Sequence, residues 1–303
     1  MSHQPTGIAL YDTAADEAAA AVIAAYSTSF GMATRLLGSR ARTHVRNIYA
    51  LVRVADEIVD GPAIEAGLDA TQAAALLDAL QEETMAAIDR RFSSNLVVHA
   101  FARTARECVI GADLIDPFFA SMRTDLTVAA HDDASHDSYV YGSAEVVGLM
   151  CLQVFVNAGQ PSPSGPSPEL VDGARRLGAA FQDVNFLRDL DHDEATLGRD
   201  YLGIATGDHN REAILDRIDA DLAAAAAVIP QLPADCRRAV IAAHDLFAEL
   251  SRRLRADPAP AVRVRVPDIV KAGLIARARA TSTMRATGIF LLCIFLIIAG
   301  VAG

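Results

Sequence analysis

Two stretches of this chain, IYALVRVADEIVDG at 48–61 and LGAAFQDVNFLRDLDHD at 177–193, are apolar on more than one side of a helix, yet each carries one line of polar side chains. In the first, Arg53, Asp56, Glu57 and Asp60 fall at offsets 0, 3, 4 and 7, and Ile48, Leu51, Val52, Val54, Ala55, Ile58 and Val59 occupy the remaining surface. In the second, Gln182, Asn185, Asp189 and Asp193 fall at offsets 0, 3, 7 and 11, beside Phe181, Val184, Phe186, Leu187 and Leu190. Helices with apolar surface on several sides belong in an interior, so these stripes should line an internal cavity rather than face bulk water. Unpaired carboxylates are costly there, and a bound cation cluster removes that cost. The pattern asks for helices packed around a cavity with two acidic walls.

The D-x-x-x-D spacing puts two carboxylates one turn apart, about 6 Å along the axis, on one face. Magnesium takes one or two carboxylates together with substrate phosphate oxygens. Spacing alone selects four pairs, Asp12/Asp16, Asp56/Asp60, Asp133/Asp137 and Asp189/Asp193. Asp12/Asp16 and Asp133/Asp137 sit among polar or Ala-rich neighbours and read as solvated surface. In the other two pairs the stripe continues: Arg53 flanks one, and Gln182 and Asn185 extend the other with neutral oxygen donors.

The rest of the chain is read as helix too. Ala-rich runs such as 73–75 and 223–227 favour helix, because Ala loses no side-chain entropy there. Period-2 runs of β-branched residues are scarce. Helices are expected near 18–30, 42–60, 69–90, 94–110, 115–128, 138–158, 169–193, 208–228, 233–256 and from 266 onward. Gly61-Pro62 ends the second of these, since Pro cannot continue it. GQPSPSGPSP at 159–168 is the clearest loop, and helical pattern resumes directly after it. The expected organisation is a polar lead-in over 1–17, one all-α catalytic domain over 18–284 and a hydrophobic segment over 285–303.

The net charge of −11 lacks the basic stripe a nucleic-acid partner needs. Between 252 and 285 the chain carries Arg252, Arg253, Arg255, Arg263, Arg265, Lys271, Arg277, Arg279 and Arg285 against Asp257 and Asp268. Beside an apolar tail this points to an anionic membrane surface; a solvated helix face is the other reading. The tail, 288–303, has no charge but is shorter than the about 20 residues of a typical span. It lacks the polar face of a core or interfacial helix, so a C-terminal membrane anchor is expected. Cys108, Cys151, Cys236 and Cys293 are far apart and read as small hydrophobes. The N-terminus has no basic segment followed by an apolar core, so a cytoplasmic location is expected, on the inner face of the cell membrane. No glycine-rich nicotinamide fingerprint is present, so no such cofactor is expected. The oligomeric state is not legible.

Four ordered blocks resemble the squalene/phytoene synthase family, and within it the bacterial phytoene synthases: YSTSFGMATRLL at 26–37, NIYALVRVADEIVD at 47–60, SYVYGSAEVVGLM at 138–150 and GAAFQDVNFLRDLDHDEATLGRDYL at 178–202. The resemblance spans roughly 20–280. It implies an isoprenoid synthase helical bundle around a central apolar cavity, with magnesium, or manganese in its place, bound at the two aspartate motifs. Residue by residue, it makes Asp56 and Asp60 ligands at one diphosphate, and Asn185, Asp189 and Asp193 ligands at the other. Gln182 and Asn185 match the family's QxxN pair. Arg53, Arg188 and Arg199 match diphosphate-holding arginines, whose fork of donors suits phosphate oxygens; a structural salt bridge is the alternative for each. Tyr139 matches the tyrosine of the later chemical steps, although a buried packing tyrosine reads the same by residue type. Ser29 and Phe30 would line the substrate site.

The resemblance implies head-to-head condensation of two geranylgeranyl diphosphates through a cyclopropyl diphosphate to phytoene. Squalene or dehydrosqualene from two farnesyl diphosphates is the alternative, and a non-catalytic prenyl-binding or assembly protein a more distant one. A plain membrane-anchored helical scaffold would explain the tail but neither polar stripe. Glu145, His192 and Gly203 depart from the family pattern, and Glu145 could add polarity to a wall expected to be apolar.

Overall fold

The computed structural model describes residues 6–27, 33–59, 61–128, 133–192, 201–202, 210–257 and 264–281. No strand occurs among them. The helices are α1 (Ile8–Tyr26), α2 (Ser39–Val59), a short α3 (Pro62–Glu65), α4 (Ala70–Arg90), α5 (Leu96–Cys108), α6 (Ala112–Thr124), α7 (Asp133–Val140), α8 (Val146–Asn157), α9 (Pro168–His192), α10 (Arg211–Val228), α11 (Ala234–Ala256) and α12 (Asp268–Thr281). A π-helical turn, Tyr141–Glu145, joins α7 to α8 into one long rod.

Local chemistry accounts for the boundaries. Asp69 and Gln72 form a reciprocal capping box at the start of α4. Asn95 and Asn210 cap α5 and α10 by accepting backbone N–H bonds. Gly61, at φ 130°, takes the chain out of α2, and Pro62 opens α3 at its first turn. In the 159–168 loop, the buried Asn157 side chain accepts from Ser164 N at 2.9 Å and donates to the Cys108 carbonyl at 3.2 Å.

One apolar core is built from α2, α4, α5, α6 and α8, with Phe101, Phe118, Phe119, Leu51 and Leu77 fully buried. A second, from α7, α9, α10 and α11, centres on Val184, Leu215, Ile218 and Leu254. Glycines let the rods between them come close. A Cβ at Gly148 would lie 2.7 Å from the Ala174 carbonyl, and one at Gly178 would lie 2.7 Å from the Ala144 carbonyl. These two contacts set α8 antiparallel to α9.

Three expectations are corrected here. The lead-in is helical from Ile8, because its polar groups have specific partners rather than water. Asp12 meets the buried His99 at 2.8 Å, and Asp16 meets Arg103 at 3.2 Å and Asn47 at 3.0 Å. Ala15 and Ala19 are fully buried in the seam with Ala50 and Ala100. The Asp12/Asp16 pair is therefore a docking surface for α1, not a solvated one, whereas Asp137 is exposed as expected. The basic stretch is also less open than its sequence: Arg255 pairs with Glu212, Asp216 and Asp219, and Arg252 and Arg253 both pair with Glu249. Those acids lie before residue 252, beyond the window that made the stretch look unopposed. Arg263, Arg285 and the apolar tail lie outside the described residues.

Candidate active site

A cavity of about 280 Å³ runs between the two cores. Its walls are Val45 and Val52 of α2, Ser143 and Ala144 of the π turn, Val147, Gly148, Cys151 and Phe155 of α8, the Leu170-to-Asn185 face of α9, and Val228, Val240 and Phe247 from α10 and α11. On α9 the lining residues are 170, 173, 174, 177, 178, 181, 182 and 185, the i, i+3, i+4 rhythm of a single face. Phe181 stacks on Phe247 at 3.8 Å between centroids, closing the wall on that side. The polar lining is sparse: Thr34, Ser143, Gln182 and Asn185. Burial pushes the Cys151 thiol up to about 12, so this wall residue stays a neutral thiol.

Asp56 and Asp189, the described aspartates of the two motifs, lie toward one end of this cavity and outside its lining. α2 begins where Arg40 donates to the Phe155 and Ala158 carbonyls at the end of α8, and the antiparallel packing puts the start of α9 at that same end. Asp56 follows Val52 by one turn on the same face, and Asp189 follows Asn185 likewise, each about 6 Å further along its helix. Of the α9 stripe, Gln182 and Asn185 line the cavity; α2 contributes Val45 and Val52 to the lining and none of its polar stripe. Both carboxylates are partly buried.

The arginines sit among them. Arg53 pairs with Glu57 and lies over the Tyr26 ring at 4.5 Å. Burial works against its charge, but the Glu57 hydrogen bond and the Asp56 charge outweigh it and hold the guanidinium above its ordinary value. Arg188 forks onto Asp189, Nε to Oδ1 at 3.0 Å and an Nη to Oδ2 at 2.6 Å. Ser29, Phe30, Asp60, Asp193 and Arg199 lie outside the described residues. Among the described residues no group of three or more acidic, His or Cys side chains is gathered to hold a metal. The donors that are described, carboxylates with an Asn and a Gln amide, are all oxygen donors of the kind a hard divalent cation takes.

Tyr139 is placed elsewhere. It is buried outside the cavity lining, and its hydroxyl donates to Asp125 Oδ2 at 2.8 Å. The Tyr201 hydroxyl donates to Asp125 Oδ1, also at 2.8 Å, and its ring stacks on Phe186 at 4.3 Å. Glu145 does not enter the cavity wall either; it pairs with Arg175 at 2.5 Å on the opposite side. Burial raises its carboxyl above the usual range, and the Arg175 hydrogen bond pulls back against that.

Sequence reading missed two clusters. One is Asp125 with its tyrosines. The other is Asp183, almost fully buried behind the α9 stripe, which accepts from His136 at 3.1 Å and Arg217 at 2.9 Å. Neither acid has a spacing signal, because its partners come from distant segments.

Residues 23–205, more than half of the chain, match the squalene/phytoene synthase family. The chain is 28% identical over 267 residues to the 15-cis-phytoene synthase of a Paracoccus species, covering 79% of this chain and 82% of that one. It is 26% identical over 200 residues to the 4,4'-diapophytoene synthase of Staphylococcus haemolyticus, covering 65% of each. The fold is that of a solved dehydrosqualene synthase in complex with ligand, with TM-score 0.74 at 20% identity over 90% of this chain and 98% of that one. It is also that of a squalene synthase from Alicyclobacillus acidocaldarius, with TM-score 0.68 at 17% identity over 81% and 95%. The chain belongs to the squalene/phytoene synthase family, whose members condense isoprenoid diphosphates head to head.

Proposed function

We propose that this chain joins two geranylgeranyl diphosphates head to head, through a cyclopropyl diphosphate, to give phytoene. The observation that carries the reading is an apolar cavity with Gln182 and Asn185 in its lining, from which α9 continues one turn to Asp189 and α2 one turn from Val52 to Asp56, an arrangement that suits a charged head with a hydrocarbon tail. Asp56 with Asp60, and Asn185 with Asp189 and Asp193, would hold magnesium or manganese, which supplies positive charge against the departing diphosphate. Arg53, Arg188 and Arg199 add fixed donors at the same oxygens, and Gln182 orients them. Ser29 and Phe30 complete the substrate wall. The Leu, Val and Phe surfaces exclude the water that would quench each cation. Tyr139 serves as a positioning residue, since its hydroxyl is committed to Asp125.

The C20 substrate is preferred because the 15-cis-phytoene synthase relative matches over more of its own length than the 4,4'-diapophytoene synthase does. The test is incubation of the purified chain with each allylic diphosphate and magnesium, followed by product chromatography. Phytoene from geranylgeranyl diphosphate is expected, lost with a chelator and reduced at least 100-fold by Asp56→Ala or Asp189→Ala separately, the scale of removing a key electrostatic group. Product from farnesyl diphosphate alone would replace the C20 reading with the C15 one. Metal-independent turnover would remove the metal reading, and absence of turnover the enzyme reading.

A further inference from the structure

The π turn presents a hydroxyl to the cavity. Ser143 lines the cavity, and its Oγ is shielded from solvent without a hydrogen-bond partner among the described residues. In an α-helix a serine hydroxyl commonly bonds the carbonyl four residues back, here that of Tyr139. That carbonyl already accepts from Ser121 Oγ at 3.1 Å. Ser121 gets close enough because residue 142 is glycine; a Cβ there would overlap Ser121 Oγ and the Pro117 carbonyl. The turn itself runs i to i+5, with Val146 N–H donating to the Tyr141 carbonyl, so the local carbonyls are out of register for the serine. π turns of this kind concentrate at functional sites, and a buried polar atom left unpaired calls for a partner outside the fold.

Its height in the cavity says what that partner is. Ser143 adjoins Ala144, whose carbonyl touches the Gly178 position on α9. Asp189 lies eleven residues further along that helix, about 16 Å at 1.5 Å per residue. A carboxylate, a cation with contacts of about 2.1 Å and a diphosphate take up most of that length. The reacting carbons then fall beside Ser143, among the small wall residues Ala144, Val147 and Gly148.

We propose, resting on the isoprenoid-condensing reading above, that Ser143 Oγ is a catalytic residue whose lone pairs face the carbocation. When the carbon–oxygen bond breaks, the diphosphate leaves with the bonding pair and the positive charge develops opposite the serine oxygen. Ser143 forms no covalent bond and keeps its proton. Its contribution is electrostatic and specific to the charged state, so it acts on kcat rather than KM.

The full chain should be assayed as Ser143→Ala and Ser143→Thr, with steady-state kinetics, product chromatography and thermal midpoints. Ser143→Ala is expected to lower kcat on the order of tenfold, about 1.4 kcal/mol of barrier, with KM unchanged. Ser143→Thr, which keeps the hydroxyl, should restore most of the rate. The alanine variant should melt no lower than the parent, because it removes an unpaired buried hydroxyl. Unchanged kcat in Ser143→Ala would overturn the proposal, as would equal loss in both variants. A parent that releases prenyl alcohol, suppressed by Ser143→Ala, would also overturn it, showing that the hydroxyl holds a water. A parent without head-to-head product from either diphosphate defeats the functional reading itself, and this inference with it.

Discussion

The Asp125 carboxylate accepts one hydroxyl from Tyr139 and one from Tyr201, and so joins the end of α6, the α7 rod and the segment after α9. Hydrogen bonds to a buried charge are worth about 1.5–3 kcal/mol each, and a buried hydroxyl left without its acceptor loses more than the bond alone. Asp125→Ala should therefore destabilise the fold by about 3 kcal/mol, read as a lowered urea midpoint at unchanged slope. Tyr139→Phe removes one of the two bonds and should lower it by about 1–2 kcal/mol. If Tyr139 instead acted on substrate directly, Tyr139→Phe would cut turnover and leave the midpoint in place. Residue type and family position single out Tyr139, but only the fold supplies its partner. Nothing in SMRTDLTVAA distinguishes Asp125 from a surface acid.

At the scale of elements, the helical periods were legible to within a few residues for most of the chain, because apolar stripes and caps are local properties. The exceptions are instructive. α1 starts ten residues before the expected helix, since its early turns are held by Asp12, Asp16 and Tyr11 meeting His99, Arg103, Asn47 and the Ser93 carbonyl. The π turn has no periodic signature of its own, and it shifts the wall by part of a turn where α8 meets α9. That junction depends on Gly178, where a Cβ would stand 2.7 Å from the Ala144 carbonyl and 3.0 Å from the Glu145 Cα. Both atoms are backbone and cannot swing aside. Gly178→Val is expected to destabilise by about 1–3 kcal/mol and to lower turnover by displacing the wall that carries Ser143 and Ala144. Wild-type urea midpoint and kcat in that variant would show that the rods are not in firm contact.

For the whole molecule, the decisive fact is that α2 and α9 start from the same end of the bundle, so Asp56 and Asp189, 133 residues apart, both lie toward its other end. The rod Ser135–Asn157 is apolar and long enough to cross a bilayer, yet Ser143, Val147, Cys151 and Phe155 on it line the cavity. With Arg252, Arg253 and Arg255 each paired to an acid of this chain, membrane attachment is proposed to rest on the hydrophobic segment 285–303, which would suit release of a hydrocarbon product. Deleting 288–303 should move the protein from the membrane pellet to the supernatant with its activity in detergent-free assay retained. A truncated chain that still pellets would place the attachment elsewhere.

By itself, the sequence determined the helices, the two polar stripes and the carboxylates that crown them. All three follow from the 3.6-residue period, which fixes within one segment which side chains share a face. The family blocks were equally legible, because they are contiguous runs. The tertiary structure alone decided which acids hold helices together. It turned Asp12 and Asp16 into docking groups, gave Asp125 its two tyrosines, gave Arg255 its three acids and left Ser143 facing the cavity. Each of these outcomes depends on hydrogen-bond distances between helices distant in sequence, and a period read along one helix contains no information about the face that another helix presents to it.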